Sequence, residues 1–214
     1  MAMYEEGSIR IDIGRLESSI KDMMPPHLLV LPKHCIFKTP VILKRHNKKA
    51  YIPNTFSIGP LHHDNPNLKA TEKMKVKYLG GLISRSDCSD EMLGTLISSI
   101  TEVEKEAREC YVEAIDQYCS PEEFLKILVI DSCFIIELFC RNNFPKLREE
   151  NDPIFSMSIM VEVLHHDLML LENQVPWMVL EHLFSLIRGP ESNIPLSKLA
   201  YLFFFFHASI QANL

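Results

Sequence analysis

The chain has 214 residues, 47% hydrophobic and 23% charged, a composition that excludes a disordered protein and suits one large globular domain or two small ones. A net charge of −6 argues against a general nucleic-acid binder, and seven glycines are few for a turn-rich β architecture or a phosphate-cradling loop. Six cysteines, at 35, 88, 110, 119, 133 and 140, include no CxxC pair, so reduced thiols and an intracellular setting are the default expectation. The opening MAMYEEGSIRIDIGR lacks the apolar core of a signal peptide, and no segment reaches the roughly 20 apolar residues of a spanning helix. Cytoplasmic location is therefore expected by default.

Ile9, Ile13, Leu16 and Ile20 form a helical stripe that ends before Pro25 and Pro26, so residues 1–30 are predicted as an N-terminal helix and linker. Residues 31–67 break this periodicity with histidines and prolines and read as a structured loop with short extended segments. Its first part is basic: Lys33, Lys38, Lys44, Arg45, Lys48 and Lys49 have no acid among them. Ser57 to Pro60 form a tight corner, since the proline restricts Gly59. Helices are predicted at 68–85, 92–117, 121–141, 158–172, 176–188 and 196–210. The segment from Thr101 to Glu123 is acidic, with eight acids against Lys105 and Arg108. Helix 121–141 has the clearest start: Ser120 as cap, Pro121 in the first turn and Glu123 completing a capping box. It is apolar nearly all round, and Cys133 and Cys140 read there as small buried hydrophobes. The fold class is all-α, with about seven helices. Residues 31–214 are read as one helical domain, incomplete at its C-terminus; LAYLFFFF needs packing partners, either within this chain or in a part that would follow it.

Polar residues interrupt these apolar runs. Asp131 sits inside LVIDSCFIIELF, where an unpaired carboxylate would be costly. Glu137 falls on another face and is expected to be exposed. Glu172, Asn173 and Gln174 precede Pro176, and helix 158–172 is predicted to end near Asn173, with Pro176 in the first turn of the next. The triplet then bonds the backbone groups bared at the break. Asp131, Asp167, Glu172, Asn173 and Gln174 are expected to converge on Arg141, Lys126 or the histidines near 62, fixing how the core helices cross.

Two His-His-Asp triplets, His62–His63–Asp64 and His165–His166–Asp167, resemble metal chemistry, and a metal-dependent hydrolase using the first with Asp131 is an alternative reading. Adjacent helical residues point about 100° apart, so His165 and His166 cannot both face one ion, whereas an HxxxH pair could. No GxSxG, Walker or GxGxxG motif is present. No catalytic residue, metal ligand or cofactor is assigned.

Two long stretches together carry a resemblance. The first falls on Asn47, Ala50, Tyr51, Pro53, Ser57, Ile58, Gly59, Pro60, His62 and His63; the second on Asp131, Cys133, Phe134, Asp167, Leu171, Glu172, Asn173, Gln174 and Pro176. In this order they resemble the signature of the plant domain of unknown function 247 family, the UPF-0481 proteins, over residues 33–206. Asp64 replaces the glycine usual after His-His, and Ala70, Thr71 and Glu72 depart from the family's Met-Glu. The resemblance implies no established enzymatic activity and a membrane-spanning helix near the C-terminus of longer members. It also implies a short or truncated member here, and the genetic link of some grass members to pollen self-incompatibility implies recognition or signalling. The leading expectation is a non-enzymatic helical interaction module with an unknown protein partner and no nucleic acid. The basic segment is expected to meet anionic lipid or an acidic partner. A non-functional truncated member is the third reading.

Overall fold

The computed structural model describes residues 12–23, 36–86, 89–187 and 193–211, the last six without side chains. Residues 1–33 and 34–214 are two compact units. In the first, α1 (Ile13–Met23) opens with Asp12 Oδ1 accepting the Arg15 amide at 3.0 Å, and Ile13, Leu16 and Ile20 of the predicted stripe are exposed. Ile9, Cys35 and Cys88 lie outside the described residues.

The second unit contains α2 (Val41–Lys44), α3 (Lys69–Ser84), α4 (Ser89–Glu109), α5 (Pro121–Asn143), α6 (Ser158–Leu168), α7 (Trp177–Leu186) and α8 (Leu196–Gln211). Among the described residues there are eight α-helices and no sheet, so the fold is all-α. The only β pairing among them is an isolated bridge, in which Ile36 N–H donates to Cys110 and Val112 N–H donates to Ile36. That bridge ends the predicted helix 92–117 early, at Glu109. No described helix is long and apolar enough to cross a membrane.

The axis of the unit is α5. Its start follows local chemistry: Ser120 Oγ accepts the Glu123 amide at 3.2 Å and Pro121 occupies the first turn. Nearly every residue from Phe124 to Arg141 is buried, and α3, α4, α7 and α8 pack around it. Each fully buried Phe, Leu or Ile here contributes about 1.5–3 kcal/mol. Phe134 stacks on Phe56 of the loop (5.3 Å, 14°) and tilts against Tyr78 of α3 at 5.3 Å. Cys133 and Cys140 are buried, and burial pushes the Cys133 thiol up to about 12.

Two expectations need correction. Glu137 is fully buried: it takes Arg85 Nη1 and Nη2 at 2.6 and 2.5 Å and Arg141 Nε at 2.7 Å. Arg141 continues to Asp152 at 2.7 Å, and Tyr78 Oη donates to the same carboxylate at 2.7 Å. Arg141 is thus occupied by a second buried network and does not serve Asp131. Next, α6 ends at Leu168 and α7 starts at Trp177, so an eight-residue connection replaces the abrupt break predicted near Asn173. Pro176 precedes α7 as its cap. Of the phenylalanine run, Phe203 and Phe204 pack within the chain, against the ring of Phe139 at 5.3 and 6.1 Å and that of His165 at 4.4 and 5.5 Å.

Candidate functional site

Residues 54–59 lie outside any helix yet are largely buried, so their backbone polar groups need partners. Side chains supply them. Asp167 Oδ1 accepts the Asn54 amide at 2.8 Å, and Oδ2 accepts those of Thr55 and Phe56 at 2.8 and 2.9 Å. Asn173 Oδ1 accepts the Ile58 amide at 2.7 Å, and Asp131 Oδ2 accepts that of Gly59 at 2.8 Å. The carbonyls are met from the other side: Thr71 Oγ1 donates to Thr55, Asn173 Nδ2 to Phe56 and Lys75 Nζ to Ser57, at 2.6, 2.9 and 2.8 Å. Three helices and one joint thus replace the neighbouring strand that an isolated segment lacks.

Elements place these groups by simple periodicity. Thr71, Lys75, Tyr78, Leu79 and Leu82 are the buried face of α3, with Lys75 at 0% exposure. Asp131 projects from the same side of α5, and Lys75 Nζ meets its Oδ1 at 2.5 Å and Glu72 Oε1 at 2.7 Å. Burial pushes the Asp131 carboxyl above its ordinary range, against the pull of Lys75 and the Gly59 amide. Burial alone would lower Lys75, but Asp131 and Glu72 outweigh it and hold the ammonium above its ordinary value. Asn173 also donates to the Asp167 carbonyl at 2.9 Å, capping the end of α6. Gly59 has φ 72°, and a Cβ there would strike the Gln174 carbonyl oxygen, to which Tyr111 Oη donates at 3.0 Å.

Glu172 works separately, at the base of α2. One oxygen accepts the Thr39 amide at 2.7 Å and pairs with Lys44; the other lies 3.3 Å from His62 Nε2. Burial favours the protonated Glu172, but Lys44 and the Thr39 amide outweigh it and keep the carboxyl below its ordinary 4.5. Burial depresses His62 below 6.5, despite the opposing pull of Glu172. Beside the clamp is a cavity of about 390 Å³ with largely apolar walls, including Ile58, Phe139, Trp177 and Phe204. Its polar lining is Asn173 and Gln174, and no acid, base or nucleophile lines it.

Residues 36–213 match the family described as plant protein of unknown function, domain of unknown function 247. The chain belongs to this family. It is 30% identical over 171 residues to a UPF0481 protein of Arabidopsis thaliana, covering 79% of this chain and 35% of the relative. A putative UPF0481 protein of the same plant is 28% identical over 145 residues, 68% of this chain and 26% of the relative. The chain therefore spans about a third or less of these curated relatives. No solved structure matches it.

Within this family member the signature positions divide three ways. Ser57, Gly59, Asp131, Asp167 and Asn173 meet in the clamp, and Phe134, beside buried Cys133, stacks beneath it. Pro53 and Pro60 are buried along the same segment, the latter opening a short turn over Pro60–His62. Glu172 and His62 meet at the base of α2, while His63 Nε2 lies 3.5 Å from Glu123 of α5. Gln174 contributes its carbonyl, and Pro176 caps α7. Asn47 and Tyr51 fall elsewhere, beside and within the 3-10 turn Lys48–Tyr51.

The basic partner of Asp131 is Lys75, in place of the expected Arg141, Lys126 or histidines. A lysine in an otherwise apolar helical stripe at 71, 75, 78, 79 and 82 is the signal that finds it. Thr71 and Glu72, where the sequence departs from the family pattern, also take part in the clamp. The two His-His-Asp triplets separate: His165 packs on α8, and His166 meets Asn54 and Asp167 at the surface. Among the described residues no group of three or more His, Cys, Asp or Glu is arranged to hold a metal ion.

Proposed function

We propose that this chain is a non-enzymatic interaction module, of the recognition or signalling kind, in which the polar signature clamps a loop and thereby presents the surface carried by residues 37–52. One observation carries this reading. The buried carboxylates and amide of the signature are already spent: both oxygens of Asp131, both of Asp167 and the amide of Asn173 hold the backbone of 54–59 or Lys75. A general base or metal ligand needs a free lone pair directed at a substrate, and these are directed at the protein. The membrane association that the resemblance implies for longer relatives belongs to the same proposal, as does an unidentified protein partner.

Metal analysis of untagged protein tests it. After exposure to zinc or manganese and dialysis, the expected content is below about one-tenth equivalent. A stoichiometric ion that is lost in His62→Ala and His63→Ala variants would overturn the proposal in favour of a metal-dependent hydrolase.

A further inference from the structure

The segment between Thr39 and Ile52 is built unlike the rest of the unit. It leaves the body at Thr39, whose amide is held by Glu172, and is tied back by the Lys44 ammonium on the same carboxylate. The residues around that tie are exposed from Pro40 to Ala50, Lys44 alone being half-buried. The single turn of α2 carries Val41 at 85%, Ile42 at 67% and Leu43 at 49% exposure. Three consecutive exposed aliphatic residues in one helical turn are not the scattered apolar surface that every protein shows. The 3-10 turn Lys48–Tyr51 packs beside α2, so Arg45, Lys48 and Lys49 form a basic collar next to the aliphatic tip. From Lys33 to His63 there is no acidic residue at all.

A merely solvated charge run has no use for an aliphatic apex, and an apolar protein groove has no use for the collar. An anionic bilayer surface accepts both, with apolar side chains at the headgroup–acyl boundary and cations among the lipid phosphates. We propose that the α2 projection docks this protein on an anionic membrane surface, with Val41 and Ile42 inserted and Arg45, Lys48 and Lys49 on the headgroups. This rests on the interaction-module reading and names its partner class. A single helical turn reaches only to headgroup depth, so the contact is peripheral and reversible.

Vesicle co-sedimentation of the whole protein tests it, with phosphatidylcholine alone and with about one-third phosphatidylserine added. Binding is expected only with the anionic lipid, and it falls steeply when salt rises from about 0.1 to about 0.5 M. The double variant Lys48→Gln/Lys49→Gln is expected to bind about twenty-five-fold more weakly, at roughly fivefold per cation. Val41→Ser/Ile42→Ser is expected to lose at least about tenfold, with an unchanged salt dependence. All four side chains face solvent, so neither double variant shifts the melting temperature. The proposal is overturned by equal binding to neutral vesicles, by full binding of either double variant, or by no sedimentation with anionic vesicles. It is also overturned if an acidic peptide binds the collar while vesicles do not. Each of these results leaves the metal analysis, and hence the non-enzymatic reading, standing or falling on its own.

Discussion

Asp167 accepts three successive backbone amides with two oxygens, which makes it the residue whose loss exposes the most unmet donors at once. Each buried donor left without a partner costs about 1–3 kcal/mol. Asp167→Ala is therefore expected to lower unfolding free energy by about 3 kcal/mol or more in urea denaturation, and Asp167→Asn, which keeps one acceptor, by less. Two residues at the base of α2 set a pH dependence. His62 is held below 6.5 and Glu172 below 4.5, so the folded state binds fewer protons than the unfolded chain at both positions. Their stabilisation is complete above those values and is lost as pH falls through the folded pKa. Melting temperature should therefore decline in two stages on acidification, the first starting below 6.5 and the second below 4.5. Asp152, whose own burial is outweighed by Tyr78 and Arg141 and which therefore sits below 3.8, adds to the second stage, while Asp131, held above 3.8 by burial, opposes it. His62→Gln should remove the first stage and Glu172→Gln should shrink the second.

At the scale of elements, α3 and α5 approach closely where both networks cross between them. A Cβ at Gly81 would lie 2.5 Å from Arg141 Nη2, whereas one at neighbouring Gly80 would meet nothing within 4 Å. Gly80→Ala should stabilise the protein by about 0.5–1 kcal/mol through helix propensity, and Gly81→Ala should destabilise it by displacing Arg141 from Glu137 and Asp152. Thermal melts of the two variants should move in opposite directions. The helices themselves were legible because their signals are local: Ser120 and Pro121 start α5, and the apolar periodicities of α3, α7 and α8 place those helices within a few residues. The burial of Glu137 is not legible because, beside Arg141 on its own helix, it needs Arg85 from 52 residues away. The sequence marks Asp131, Asp167 and Asn173 as converging, but not what they hold, since the bonds of the clamp join residues 15 to 117 apart in sequence. Composition marked Asp131 and Asn173 as needing partners, but only the packing of α3 against α5 decides that Lys75 and a loop backbone provide them.

For the whole molecule, these contacts make a helical body that holds one irregular segment as firmly as a sheet would hold a strand. Asp131 from α5, Lys75 and Thr71 from α3, Asp167 from the end of α6 and Asn173 from the joint that follows it bind the same six residues. The loop therefore reports on the assembly of three separate parts of the chain. Removing one partner of the buried Lys75–Asp131 pair leaves an uncompensated charge, so the clamp opens as a unit and not bond by bond. Amide hydrogen exchange across residues 54–59 measures this directly. In the wild-type protein the amides of Thr55, Phe56, Ile58 and Gly59 should be protected to an extent approaching those of α5, and Asn173→Ala should release all four together. Exchange of these amides at the rate of an open surface loop in the wild type, or unchanged protection in Asn173→Ala, would contradict the clamp.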